Sequence, residues 1–240
     1  MERSVPHGRG RCTEVQGVSS ERLDRADPQS LADFIKANTK LLAPPLVPEI
    51  VLYLAAESLP IWQKTEDQLG EMNVPPPYWA FAWAGGQAVA RYLLDTPEIC
   101  RGLPVLDLGS GSGISAIAAA KAGAARVLAA DIDALALAAI GLNGKANDVQ
   151  IDVTGADLLA QPGAREGVVI VGDLFYERNL ADRVLRFIDS AKSEGCVVFV
   201  GDPQRSYFPR DRFEKLIEYQ VPVTRELEDA EIKRTAVWRA

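Results

Sequence analysis

The chain has 240 residues, 48% hydrophobic and 25% charged, a balance that supports a sizeable core and excludes disorder throughout. Its 33 acidic and 26 basic residues leave a net charge of −7, which argues against a nucleic-acid backbone as partner. A single histidine, His7, and three scattered cysteines, Cys12, Cys100 and Cys196, exclude a Ser-His-Asp triad, a Cys-His pair and a His-ligated zinc site, so no metal is expected. Residues 1–28 are polar, rich in Arg, Ser and Gly, and read as a disordered tail with no secretory signal. Residues 29–100 read as a helical extension packed on a core. Leu31, Phe34 and Ile35 share a helical face, and Pro48 is placed to open a second helix through Leu54 and Ala55. Pro75-Pro76-Pro77 imposes an extended break, after which a third helix covers Phe81–Leu94.

From residue 101 to 240 strands and helices alternate. Strands are expected at Leu103–Leu108, Arg126–Ala130, Val149–Val153, Val168–Val171 and Cys196–Val200. Helices are expected at Ile114–Ala122, Ala134–Ala146, Leu180–Ser190 and, briefly, Arg212–Glu218. This alternation predicts an α/β fold, a mostly parallel sheet covered by helices on both faces. The last two strands, Val221–Arg225 and Lys233–Trp238, have no helix-length connection and should form an antiparallel hairpin at one edge. No apolar stretch approaches the roughly 20 residues that span a bilayer. A cytoplasmic monomer without membrane contact is the expectation.

The most informative segment runs from Val105 to Gly113, where an apolar strand containing Asp107 enters Gly109-Ser110-Gly111-Ser112-Gly113 and then a helix. Such a turn brings a ligand close to the backbone, with helix-start amides aimed at it. Beyond it, Asp131 closes the second strand, where a carboxylate accepts hydrogen bonds from ribose hydroxyls. A dinucleotide fingerprint needs glycine where this chain has Ile114, and the acid at 107 suits a free ammonium and repels a pyrophosphate. The competing reading is a turn that serves helix packing only.

Together these residues resemble motif I of the seven-strand S-adenosylmethionine-dependent methyltransferases. The resemblance implies a Rossmann-like seven-stranded sheet and S-adenosylmethionine bound by Asp107, Gly109, Ser110, Gly111, Gly113, Asp131 and Ile132. Asp107 would face the methionine end. Asp157, with Leu158 beside it, resembles the acid that accepts from the adenine amine in that family. Trp83, just upstream of the first strand, matches a tryptophan that lines the cofactor pocket.

Past the fourth strand, Asp173-Leu174-Phe175-Tyr176 resembles the Asp-x-x-Tyr motif of a subgroup that acts mostly on protein lysines. By this resemblance Asp173 and Tyr176 are catalytic, with Asp173 also beside the cofactor. A lysine amine is only about 0.04% neutral at pH 7 and must lose a proton before it attacks. Asp173 is suited to hold the ammonium in line while Tyr176 bounds a cation-tolerant pocket.

Further strings at 34–39, 44–49, 75–87, 172–177, 201–203 and 228–238 are similar to the electron transfer flavoprotein β-subunit lysine methyltransferases. The resemblance covers roughly Leu31 to Arg239 and implies that flavoprotein subunit as protein substrate, with a ribosomal stalk protein as a further one. One departure is Gln204, where the family pattern has glycine. A small-molecule (nicotinamide-like) N-methyltransferase and a ribosomal protein L11-type methyltransferase remain alternatives.

Overall fold

The computed structural model of the chain describes residues 23–55, 76–160, 167–223 and 231–240. A seven-stranded sheet forms the centre, in the spatial order β5-β4-β3-β6-β7-β9-β8. Its strands are β3 (Pro104–Leu108), β4 (Arg126–Ala130), β5 (Asp152–Thr154), β6 (Val168–Gly172), β7 (Val197–Asp202), β8 (Glu214–Pro222) and β9 (Ile232–Arg239). The first five pair in parallel, while β9 pairs antiparallel with both β7 and β8. Around them lie the helices α1 (Pro28–Asn38), α2 (Ala84–Asp95), α3 (Ile114–Lys121), α4 (Ala134–Ala146) and α5 (Arg178–Ser193). Strand order reverses at β3, which has β4 on one side and β6 on the other. Open parallel sheets bind ligands beyond the strand ends at such a reversal.

The two-residue periodicity of the strands sorts their side chains between two cores. Val105, Val168 and Ile170 face α2 and α3, in one cluster with Ala88, Leu93 and Ile117. Leu106, Leu108, Val169 and Val171 face the other way, against Val184, Phe187 and Ile188 of α5. Burial on both faces explains why these strands read as continuous apolar runs. A third cluster joins Leu31 and Ile35 of α1 to Trp79, Phe81 and Leu135.

Four expectations are corrected. Where Pro48 was expected to open a helix through Ala55, the chain forms β2 (Leu52–Leu54), which pairs antiparallel with β1 (Lys40–Leu42). Side-chain amides of α4 hold this strand: Asn143 Oδ1 accepts from Tyr53 N–H at 2.7 Å and Asn147 Oδ1 from Val51 N–H at 3.0 Å. Where a short helix was expected at Arg212–Glu218, β8 runs along β9, with a register shift between Lys215 and Ile217. The third N-terminal helix begins at Ala84 and not at Phe81, because Tyr78–Ala80 form a 3-10 turn and Phe81 is extended. The strand expected at Val149–Val153 is Asp152–Thr154, because Val149 N–H still closes α4 by donating to the Gly144 carbonyl.

Of the expected tail, residues 1–22 lie outside the described residues, and within 23–27 Leu23 and Arg25 are partly buried while Asp24, Ala26 and Asp27 are exposed. Asp27 caps α1 by accepting from Gln29 and Ser30 amides, and Arg25 pairs with Asp133 at 2.8 Å. Within residues 29–100 the described residues thus form both helix and an antiparallel strand pair. Among the described residues no helix is long and apolar enough to cross a membrane.

Candidate active site

A cavity of about 490 Å³ lies beyond the carboxyl ends of β3, β4 and β6. One end is lined by Asp131, Ile132, Asp157, Leu158 and Leu159, the middle by Gly109 and Gly111, and the other end by Tyr78, Trp83, Asp173, Tyr176 and Arg205.

The β3–α3 turn works through its backbone. Gly109, Gly111 and Gly113 have φ of +65°, +55° and +81°, a left-handed sequence that side chains resist. A Cβ on Gly111 would project into open space, its nearest neighbour the Tyr78 carbonyl at 4.0 Å. Asp131 holds the turn open: its Oδ2 accepts from Gly111 N–H at 2.9 Å and its Oδ1 from Asp133 N–H at 3.0 Å. Each of those oxygens keeps a second lone pair for a ligand hydroxyl.

The expected adenine-end acid, Asp157, does line the cavity, but it is shared. Its Oδ2 accepts from Arg183 at 2.5 Å and its Oδ1 from Leu159 N–H at 3.2 Å. Ile132 is 75% exposed on the same rim. Leu158 and Leu159 add an apolar wall suited to a base.

Three expected cofactor residues do not reach the cavity wall. Asp107 points to the α3 side of the sheet, where its Oδ2 accepts from Ser110 Oγ at 2.5 Å and from Ala116 N–H at 3.1 Å. Burial pushes its carboxyl up to about 6, against the lowering effect of those two hydrogen bonds, with Asp131 adding to the rise. Asp107 and Ser110 therefore brace the turn from behind. Gly113 caps α3 and packs on Ile140, 3.2 Å from where a Cβ would sit. The strand's alternation decides this, since position 107 faces opposite to Leu106 and Leu108.

The other end, where the sequence places the expected acceptor residues Asp173 and Tyr176, is built on three elements. Asp173 follows β6 with φ +58°, and its N–H donates to the Gly201 carbonyl of β7 at 3.0 Å. One carboxylate oxygen, Oδ2, accepts from Gly85 N–H, an otherwise unpaired donor of the first turn of α2. The other, Oδ1, accepts from Arg205 Nε at 2.8 Å and Nη2 at 2.7 Å. Arg205 also lies over Trp83, its guanidinium carbon 5.8 Å from the ring centroid. Trp83 Nε1 donates to the Tyr78 carbonyl at 2.8 Å, and the Tyr78 ring stands 5.8 Å from that of Tyr176. Burial, then Tyr78, Asp131 and Glu177, raise the Tyr176 hydroxyl above its ordinary value. A tyrosine so placed stays neutral and can donate a hydrogen bond.

Behind Asp173 lies Asp202, fully buried at the end of β7. Its Oδ1 accepts from Arg205 N–H at 2.8 Å, and its Oδ2 has no hydrogen-bond partner among the described residues. Burial, opposed by amides of Arg205 and Gln204 and reinforced by Asp173, pushes its carboxyl up to about 7.

The structure thus gathers Trp83, Gly109, Gly111, Asp131, Ile132, Asp157, Leu158, Asp173 and Tyr176 on one cavity. Sequence reading missed Tyr78, Arg183 and Arg205. Tyr78 stood in the aromatic string with Trp83, and Arg205 ends the string Gly201-Asp202-Pro203-Gln204-Arg205, yet only the fold brings that loop over β6.

The family model for ribosomal protein L11 methyltransferase (PrmA) matches residues 93–199, less than half of the chain. The electron transfer flavoprotein β-subunit lysine methyltransferase of Mus musculus is 37% identical over 219 residues, covering 88% of this chain and 84% of the mouse protein. Its counterpart from Xenopus laevis is 35% identical over 227 residues, covering 92% and 90%. Among solved structures, a ribosomal protein L11 methylase from Lactobacillus delbrueckii subsp. bulgaricus aligns with a TM-score of 0.44 at 20% identity, over 65% of this chain and 79% of that one.

Proposed function

The chain belongs to the family of electron transfer flavoprotein β-subunit lysine methyltransferases, and on that premise we propose that it transfers methyl groups from S-adenosylmethionine to lysine in that flavoprotein subunit. The observation that carries this reading is the single cavity with a nucleoside end at Asp131 and an acceptor end at Asp173 and Tyr176. The residues present fit the cofactor. Asp131 is set for ribose hydroxyls, Leu158 and Leu159 for the base, and the open Gly111 backbone for close approach.

When bound, S-adenosylmethionine supplies an electrophilic methyl on a sulfonium. This chain's residues then have three tasks. Trp83, Tyr78 and Tyr176 form aromatic walls that tolerate a cation. Asp173 attracts the lysine ammonium to the acceptor end, where the proton leaves to solvent before the nitrogen lone pair attacks. Fixed geometry supplies much of the rate, since two reactants are held in near-attack contact.

Mass spectrometry of the flavoprotein β-subunit after incubation with enzyme and isotopically labelled cofactor tests this. Label on lysine is the expected result. Label only on a ribosomal stalk protein, only on ribosomal protein L11, or only on a small molecule would overturn the substrate assignment.

A further inference from the structure

Asp173, the residue expected to receive a substrate ammonium, is already engaged by a cation of the protein itself. Arg205 places two guanidinium nitrogens on Oδ1 of Asp173 and its charge over the Trp83 ring. A carboxylate and an aromatic face are what a lysine head group would require. The Arg205 side chain is also the more exposed partner, 21% against 8% for Asp173, and both line the cavity.

The loop holds Arg205 there deliberately. Its N–H is fixed by buried Asp202 Oδ1 at 2.8 Å. The preceding residue, Gln204, has φ +72°, a left-handed conformation that a non-glycine residue resists. Its Oε1 accepts from Arg210 Nη2 at 2.7 Å, which ties the strained residue to the next turn. The guanidinium is thus a tethered competitor, with a high effective concentration at Asp173.

We propose that Arg205 is a specificity-determining residue, whose guanidinium occupies the acceptor carboxylate, excludes small free amines and yields to a lysine presented by a protein. The inference rests on the acceptor reading of Asp173. A free amine brings one charged contact and loses to an intramolecular ion pair. A protein brings further binding energy from the surface around its lysine, and this drives the exchange. On displacement the Asp173–Arg205 pair opens, Asp173 pairs with the ammonium, and Arg205 turns toward solvent. No covalent bond changes in this step.

Calorimetric titration of the full-length enzyme, loaded with S-adenosylhomocysteine, tests the inference with Nα-acetyl-lysine methylamide as probe. Arg205→Ala and Arg205→Gln should each bind the probe at least about tenfold more tightly than wild type. In turnover, kcat/KM on the probe should rise by a similar factor. Equal probe affinity in wild type and both variants would overturn the proposal. So would loss of S-adenosylhomocysteine binding in both variants, which would assign Arg205 a purely structural role. The binding comparison needs no protein substrate. Failure of the wild type to label the flavoprotein subunit would therefore sink the substrate assignment and leave this comparison readable.

Discussion

Asp131 and Asp202 are both carboxylates near the cavity, and burial separates their behaviour. Asp131 sits on the wall and takes two backbone amides, holding the glycine turn in shape. Asp131→Ala should weaken S-adenosylmethionine binding by about 1.5–3 kcal/mol, the size of charged hydrogen bonds lost. Calorimetry that finds unchanged affinity would remove Asp131 from the site. Asp202 has no solvent contact and a carboxyl raised to about 7 from an ordinary 3.8. Between these values the folded protein holds a proton that the unfolded chain releases. The resulting stabilisation is full below the unfolded value and is lost as pH rises through about 7. Asp202→Asn keeps an oxygen for Arg205 N–H and removes the ionisation. The fall in melting temperature between about pH 5 and about pH 8 should then shrink by roughly 2 °C or more. Asp107, raised in the same direction to about 6, stays in the variant and leaves a residual slope. Identical pH profiles for the two proteins would show that Asp202 does not titrate in this range.

Among the elements, α2 is the one whose placement makes the acceptor end. Its first turn lies directly on the ends of β6 and β7, at a distance only glycines allow. A Cβ on Gly201 would stand 2.1 Å from the Gly85 carbonyl oxygen and 2.6 Å from Val89, and one on Gly172 would meet Gly86 at 3.2 Å. This approach lets Gly85 N–H reach Asp173. Gly201→Ala should cost about 1–3 kcal/mol by overpacking and lower the melting temperature by about 5 °C. It should also depress kcat, because the Gly201 carbonyl positions Asp173 N–H. Wild-type melting and turnover would show that the helix can retreat freely. The spacing of apolar residues predicts the existence of α2, but its start depends on Tyr78–Ala80 winding into a 3-10 turn. Likewise β2 and β8 occupy segments with helical signals in sequence. Amides of α4 capture the backbone of residues 51 and 53, and β9 captures that of 214–222. Such partners are remote in the chain, so local propensity cannot report them.

At the scale of the whole molecule, α4 joins the N-terminal hairpin to the glycine turn. Fully buried Asn143 accepts from Tyr53 N–H at 2.7 Å and donates to the Ser112 carbonyl at 2.8 Å. Asn147 accepts from Val51 N–H and donates to the Val51 carbonyl at 2.6 Å. The segment before the sheet is therefore bound to the same helix that supports the cavity. Asn143→Ala should leave two buried backbone groups unpaired and cost about 2–4 kcal/mol in denaturant unfolding. S-adenosylmethionine affinity should fall with it, because Ser112 belongs to the turn. Lost stability with wild-type affinity would show that the hairpin and the turn are uncoupled.

The sequence alone determined the alternation of strands and helices, the parallel sheet with its antiparallel edge, and the glycine turn followed by Asp131. Each depends on periodicity or on backbone chemistry confined to a few neighbouring residues. It also placed Asp173 and Tyr176 just past the fourth strand. The pairing of Asp173 with Arg205 and the burial of Asp202 had no such local signal. They follow from which strand face a side chain takes, how closely α2 approaches β7, and where the β7–β8 loop returns. Contacts of that kind exist only once distant segments have packed, so the charge state and occupancy of the acceptor end belong to the fold.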